Sequence, residues 1–216
     1  MTIDSIDNLN WTDFIKDPAA FQIAADLRYQ LHVATTTVDY SYINSISIDA
    51  DFYLKLKKTG ELKAINYNIG QFSRAYTPEY IKAYPDEGTM LTVAEPNHES
   101  PEIIELKNYL KLDIIYCRKL IQSPGKMHPQ HTDLNRELSR IIAANDLNDK
   151  VKVKNIRKYI VYLEDWAHGQ VFMLGRQACT NWQKGDIISF PWFMPHSTAN
   201  AGLVDRPLMF ISGVEF

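Results

Sequence analysis

Hydrophobic positions in the first 112 residues follow mixed spacings, and three segments open with a helix-start signature. In DPAAFQIAADLRYQLH (17–32), Asp17 is a candidate N-cap and Pro18 sits at the first helical position, with apolar residues following at near-helical spacing. TPEYIKAY (77–84) repeats the signature with Thr77 and Pro78, and SPEIIELKNYLKL (100–112) repeats it with Ser100 and Pro101. Each predicts a helix. From about residue 113 the pattern changes to short β-type runs. LDIIYCRKLIQ (112–122) is rich in β-branched and aromatic residues. In NIRKYIVYLEDW (155–166), Ile156, Tyr159, Val161 and Leu163 stand among polar positions. GQVFMLG (169–175) is an apolar run bracketed by glycines, KGD (184–186) is a turn before IISFPWF, and RPLMFISGVEF (206–216) reads as a last strand. Short strands at close spacing predict an antiparallel sandwich or barrel with flanking helices. LNRELSRIIAANDLNDK (134–150) interrupts the strands as a partly helical insertion with exposed charges.

No repeat, low-complexity tract or linker divides the chain. Its 216 residues suit one domain, with a mixed helix and strand part over 1–112 and a β core over 113–216. Net charge is -3, which provides no field toward nucleic acid or an anionic membrane, and neither is an expected partner. The basic cluster KLKK (55–58) is short enough to be a solvated edge. Cys117 and Cys179 lack metal or redox spacing and read as small buried residues of a protein in a reducing compartment. The first residues show no secretory pattern, and no apolar run reaches membrane-spanning length. A cytoplasmic location is the expectation.

Chemistry concentrates in KMHPQHTDLNR (126–136). On a strand, residues two apart share a face, so the His131 imidazole and the Asp133 carboxylate converge. His196, in FPWFMPHSTANAG, is the candidate third ligand. Two histidines and a carboxylate form a facial triad that leaves positions open, which suits non-haem Fe(II) chemistry, whereas zinc usually closes to four ligands; the triad alone does not decide between iron, manganese and zinc. His128 lies three residues before His131, so an extended chain turns it to the opposite face; it reads as a cleft-lining or surface residue. Arg206, ten residues after His196, is a candidate receptor for a carboxylate. Its neighbour Asp205 points to the other side of the strand.

This ordered set, HxD, a distal His, and Arg ten residues further on, resembles the Fe(II)/2-oxoglutarate-dependent oxygenase superfamily. The cadence Gly185, Asp186, His196, Asn200, Gly202, Asp205 and Arg206 is similar to its aspartyl/asparaginyl β-hydroxylase-like branch, over residues 113–216. The resemblance implies a double-stranded β-helix (jelly-roll, cupin-like) fold with the metal at its mouth. It implies Fe(II) on His131, Asp133 and His196, with 2-oxoglutarate as co-substrate held by Arg206. O₂ is consumed and succinate and CO₂ are released. A carboxylate at Asp133, where halogenating relatives have a small residue, points to hydroxylation or a related oxidation of a small-molecule or peptide substrate. Tyr116 lies on the strand leading to HxD, where the superfamily often contacts 2-oxoglutarate. Arg157 and Tyr159 are further candidates for that contact, although they come only after the 134–150 insertion. Trp192, nearest His196 in sequence, is a candidate substrate wall, and His128 is another. Two other classes accommodate the same residues. One is a cupin-type metalloenzyme without 2-oxoglutarate, for which Arg206 has no special task. The other is a non-enzymatic jelly-roll that binds a small ligand.

Overall fold

The computed structural model describes residues 3–35, 44–47, 52, 54, 55, 57, 91–94, 96 and 98–216; the helix expected over 77–84 lies outside them. Two short helices, α1 (Ile3–Asp7) and α2 (Trp11–Phe14), precede α3 (Pro18–Thr35). Asp17 caps α3 as its sequence predicts: Oδ1 accepts from the amides of Ala19 (3.0 Å) and Ala20 (3.1 Å). α4 (Pro101–Tyr109) starts at Ser100 and Pro101, but the Ser100 hydroxyl makes no cap bond.

The strands are β1 (Asn44–Ser47), β2 (Leu91–Ala94), β3 (Ile114–Gln122), β4 (Lys126–His131), β5 (Ile156–Tyr162), β6 (Gln170–Leu174), β7 (Gln177–Cys179), β8 (Asp186–Pro191), β9 (His196–Asn200) and β10 (Arg206–Val214). They form two antiparallel sheets, ordered β1-β8-β5-β10-β3-β2 and β4-β9-β6-β7. The pairings are nested: β3 with β10, β4 with β9, β5 with β8, and β6 with β7. A chain paired in this way is one long hairpin wound into two facing sheets, which is the double-stranded β-helix.

Strand parity divides the core. Ile160, Tyr162, Phe172, Phe190, Leu208 and Phe210 pack between the sheets. The alternate residues Tyr159, Val161, Met209 and Ile211 face outward, where Ile103 and Leu106 of α4 cover them. Because β5 and β10 are buried on both faces, they show no hydrophobic alternation in sequence. Cys117 and Cys179 are buried and not joined in a disulfide, as expected. A third cluster closes one end of the barrel: Trp11, Phe14 and Phe21 meet Ile114, Ile156 and Trp192. The insertion over 134–150 belongs to this cluster. Its helix α5 (Arg136–Ala144) buries Leu138 and Ile142 there and leaves its charged face outside. Each such fully buried side chain contributes about 1.5–3 kcal/mol relative to exposure, so the insertion anchors the loop that carries Asp133.

Backbones cross closely at one turn. A Cβ on Gly169 (φ +90°) would lie 2.5 Å from the Gly202 amide nitrogen, and one on Gly202 would lie 2.5 Å from the His168 carbonyl. Glycine at both positions lets the entry to β6 press against the β9–β10 turn. Asn200 ties the same turn, donating to the carbonyls of Gln122 and Val204 (2.8 Å each) and accepting from the Gly202 amide (3.1 Å). Arg206 begins β10 directly after it.

Candidate metal centre

His131 and His196 are cross-strand partners at the end of the β4–β9 ladder. Residues 65 positions apart in sequence thereby have imidazole centroids 4.3 Å apart. Asp133 follows two residues beyond His131. Its Oδ1 lies 3.4 Å from His131 Nε2 and its Oδ2 lies 3.4 Å from His196 Nε2. One donor atom from each of the three lies within 4.8 Å of the others. An ion bound at about 2.0–2.2 Å to nitrogen and oxygen donors needs donors roughly 3–3.5 Å apart, which the two separations from Asp133 meet for a first-row divalent metal. Both rings are fixed by backbone carbonyls. His131 Nδ1 lies 2.8 Å from the Pro129 carbonyl and His196 Nδ1 lies 3.1 Å from the Met194 carbonyl. A proton on each Nδ1 satisfies those carbonyls and leaves the Nε2 lone pairs facing Asp133.

His128 departs from the expectation that it faces away. A register shift in the β4–β9 ladder falls between His128 and His131. The irregularity inserts an extra residue at Pro129–Gln130, so that the two histidines share a face. Their rings lie 4.1 Å apart, and His128 is buried in the cavity wall.

Arg206 lines the same cavity. It is 2% exposed, and Asp205 beside it is exposed. One terminal nitrogen donates to the Val171 carbonyl (3.0 Å) and the other donates to the Thr198 hydroxyl. Trp182 stacks 5.7 Å from the guanidinium carbon. No carboxylate pairs with Arg206 among the described residues, and its Nε–H makes no hydrogen bond there. Burial lowers its pKa to about 10, which leaves it cationic at neutral pH.

The other candidates fall elsewhere. Arg157 and Tyr159 lie on the outer face of β5: Arg157 pairs with Glu215 at 2.9 Å, and Tyr159 joins the outward core. The residue between them, Lys158, points inward, because a shift of one residue along a strand reverses the face. Trp192 does not line this cavity; it packs edge-on against Trp11 (6.2 Å) and Phe14 (5.4 Å) in the end cluster. Tyr116 is on the inner face of β3 but belongs to that same cluster and does not line the cavity. Arg118, two residues further along β3, does, together with Gln122 and Thr198. A charge flanked by apolar residues two positions away marks Lys158 in Ile156–Lys158–Ile160, a signal that only the strand's parity makes readable.

Apolar walls from Ile160, Phe172, Leu208 and Phe210 complete a cavity of about 80 Å³. By the measure of roughly 10–15 Å³ per water, it takes a compact molecule of a few functional groups. Burial raises the Asp133 carboxyl, but Lys158 and the two imidazoles outweigh it and hold it well below the usual carboxylate range. Burial, assisted by the neighbouring imidazole of His131, holds His128 well below the ordinary 6.5 and also lowers His196. Because the fold disfavours their cations, the unfolded chain takes up these protons first as pH falls through about 6.5. The stability they support is therefore intact above that pH and lost below it. Melting curves of the metal-free protein are expected to move to lower temperature between about pH 7.5 and pH 5.5; an unchanged midpoint would mean that the histidines are not held neutral.

No protein-family model matches the chain, and no curated protein does. Solved structures align with it. A predicted oxalate decarboxylase from Thermotoga maritima does so with TM-score 0.36 and 14% identity, over 57% of this chain and 80% of that one. The cupin domain of Schizosaccharomyces pombe Cnp3 gives 0.36 and 11%, over 58% and 65%. An RmlC-like cupin family protein with a double-stranded β-helix fold from Methanocaldococcus jannaschii gives 0.32 and 10%, over 47% and 71%. Likeness at this level assigns no site or activity. The nested strand order carries the fold by itself. Fold and donors together define a double-stranded β-helix, cupin-like protein with a His131–Asp133–His196 group able to hold a metal. No helix among the described residues is long and apolar enough to cross a membrane.

Proposed function

We propose that this chain is a non-haem Fe(II)- and 2-oxoglutarate-dependent oxygenase, a hydroxylase of an amino acid, peptide or other small molecule. The observation that carries this reading is Arg206. A buried guanidinium without a carboxylate partner among the described residues is costly unless an anion completes it. It shares a cavity with three metal donors. A ligand with one carboxylate for Arg206 and a chelating 2-oxo acid for the metal meets both demands.

His131, Asp133 and His196 would hold the iron, as three ligands that leave other positions for the 2-oxo acid and O₂. Fe(II), when bound, supplies the activation of O₂ that is coupled to decarboxylation of 2-oxoglutarate into succinate and CO₂ and to oxidation of a substrate C–H. Everything else falls to the chain. Val171 and Thr198 fix the Arg206 fork before the ligand arrives, which reduces the ordering cost of binding. Thr198 is itself held, with its hydroxyl 3.1 Å from Gln122 Oε1 and 3.0 Å from the Val171 carbonyl. Phe172, Phe210, Leu208 and Ile160 exclude water from the reacting centre.

An anaerobic titration of metal-free protein with Fe(II) and then 2-oxoglutarate tests the reading. The visible charge-transfer band of a chelated 2-oxo acid is expected. Iron binding without that band would favour a cupin-type metalloenzyme that does not use 2-oxoglutarate, since the three donors suit it equally. Absence of iron binding would leave a non-enzymatic jelly-roll.

A further inference from the structure

The metal reading leaves one buried charge without a task. Lys158 points between the sheets and is 1% exposed. Its Nζ lies 3.1 Å from Asp133 Oδ2, also donates to Asn135 Oδ1, and sits 5.2 Å over the Phe210 ring. Asn135 is fixed in turn. Its Oδ1 accepts from the Ser212 hydroxyl (2.8 Å), and its backbone takes a left-handed conformation (φ 48°) at the start of α5. Strands β5 and β10 thus converge on the Asn135 amide oxygen in the loop after β4, and Lys158 carries that anchorage to Asp133 Oδ2, leaving Oδ1 as the oxygen not bonded to Lys158.

We infer that Lys158 is a built-in counter-ion that keeps the three metal donors assembled in the absence of metal and holds metal affinity below what those donors alone would give. The inference rests on the proposed metal site. Without an ion, Asp133 is a carboxylate enclosed between two imidazoles, each 3.4 Å away, and a largely enclosed carboxylate needs a cation at hydrogen-bond distance. Lys158 supplies it. When a divalent ion arrives, the same ammonium competes for Asp133 and repels the newcomer across a few ångströms of low-dielectric interior. Lys158 is therefore a positioning residue acting through Asp133.

Lys158→Met keeps an unbranched stem against Phe210 and removes the charge. With Mn(II) alone as the probe, followed by calorimetry at neutral pH, the variant is expected to bind at least about tenfold more tightly than the parent protein. Its metal-free form is expected to melt lower, as is that of Asp133→Asn, while the double variant melts higher than either single one. Equal or weaker Mn(II) binding by Lys158→Met overturns the inference, as do single losses that simply add in the double variant. Should Lys158→Met fail to fold alone, the double variant decides: a folded double supports the pairing and an unfolded one overturns it. If neither parent nor variant binds Mn(II) yet the melting cycle shows coupling, the metal reading and the affinity half of the inference fall together, and the stabilising role of the pair stands.

Discussion

His131→Ala is expected to lose metal affinity by a factor of roughly 10²–10³. A site of four protein ligands is worth about 10–16 kcal/mol, so one ligand accounts for about 2.5–4 kcal/mol. His131 is the cleanest of the three to remove. It is only partly buried, whereas His196 also packs among Phe172, Phe190 and Phe210, so that its loss opens the core. Asp133 is tied to Lys158, so its loss leaves a buried ammonium. Calorimetric titration of the metal-free proteins with Fe(II) under anaerobic conditions measures the effect, with melting curves alongside to show that the variant is folded. A folded His131→Ala protein that binds iron within a few-fold of the parent would remove His131 from the ligand set.

Arg206→Leu is expected to raise the 2-oxoglutarate concentration for half-saturation by about 10²-fold or more while iron affinity stays unchanged. Hydrogen bonds to a charged partner are worth about 1.5–3 kcal/mol each, and a fork offers two. Arg206→Lys is expected to fall between, because a point charge replaces the fork without its geometry. The effect on folding is expected to be small. The lost bonds to Val171 and Thr198 are offset by removal of a buried, unpaired charge. The charge-transfer titration reads the affinity directly. An unchanged requirement for 2-oxoglutarate would mean that its carboxylate goes elsewhere, with Arg118 on the same cavity wall as the next candidate.

Local signals were readable without coordinates. Asp17 and Pro18 start a helix because a carboxylate satisfies the first free amides and proline has none to lose. The β-branched and aromatic runs over 112–122, 155–166 and 206–216 each hold a strand. Spacing of two suggested that His131 and Asp133 converge, and they do, although β4 ends at His131 and Asp133 comes from the loop after it rather than from the same strand face; the ordered motif named His196 and Arg206. These readings depend on neighbours within a few residues, or on a pattern of residue types along the chain.

Other features depended on contacts between distant segments. His131 meets His196 through the β4–β9 register, which no local pattern encodes. His128 joins them because the ladder slips beside Pro129, and a slip of one residue reverses a side chain's direction. Lys158, and not Arg157 or Tyr159, enters the cavity because β5 is buried on both faces; its hydrophobic residues then reveal no parity, and the inward side is set only by what packs against each face. Trp192 belongs to a cluster to which α1, α2, α3, α5 and the ends of β3, β5 and β10 all contribute, so its surroundings follow from how those segments dock. The sequence by itself determined the residue types of a donor group able to hold a metal and of a buried arginine near it. Tertiary structure decided which charges face it, because facing is a property of paired strands and packed layers.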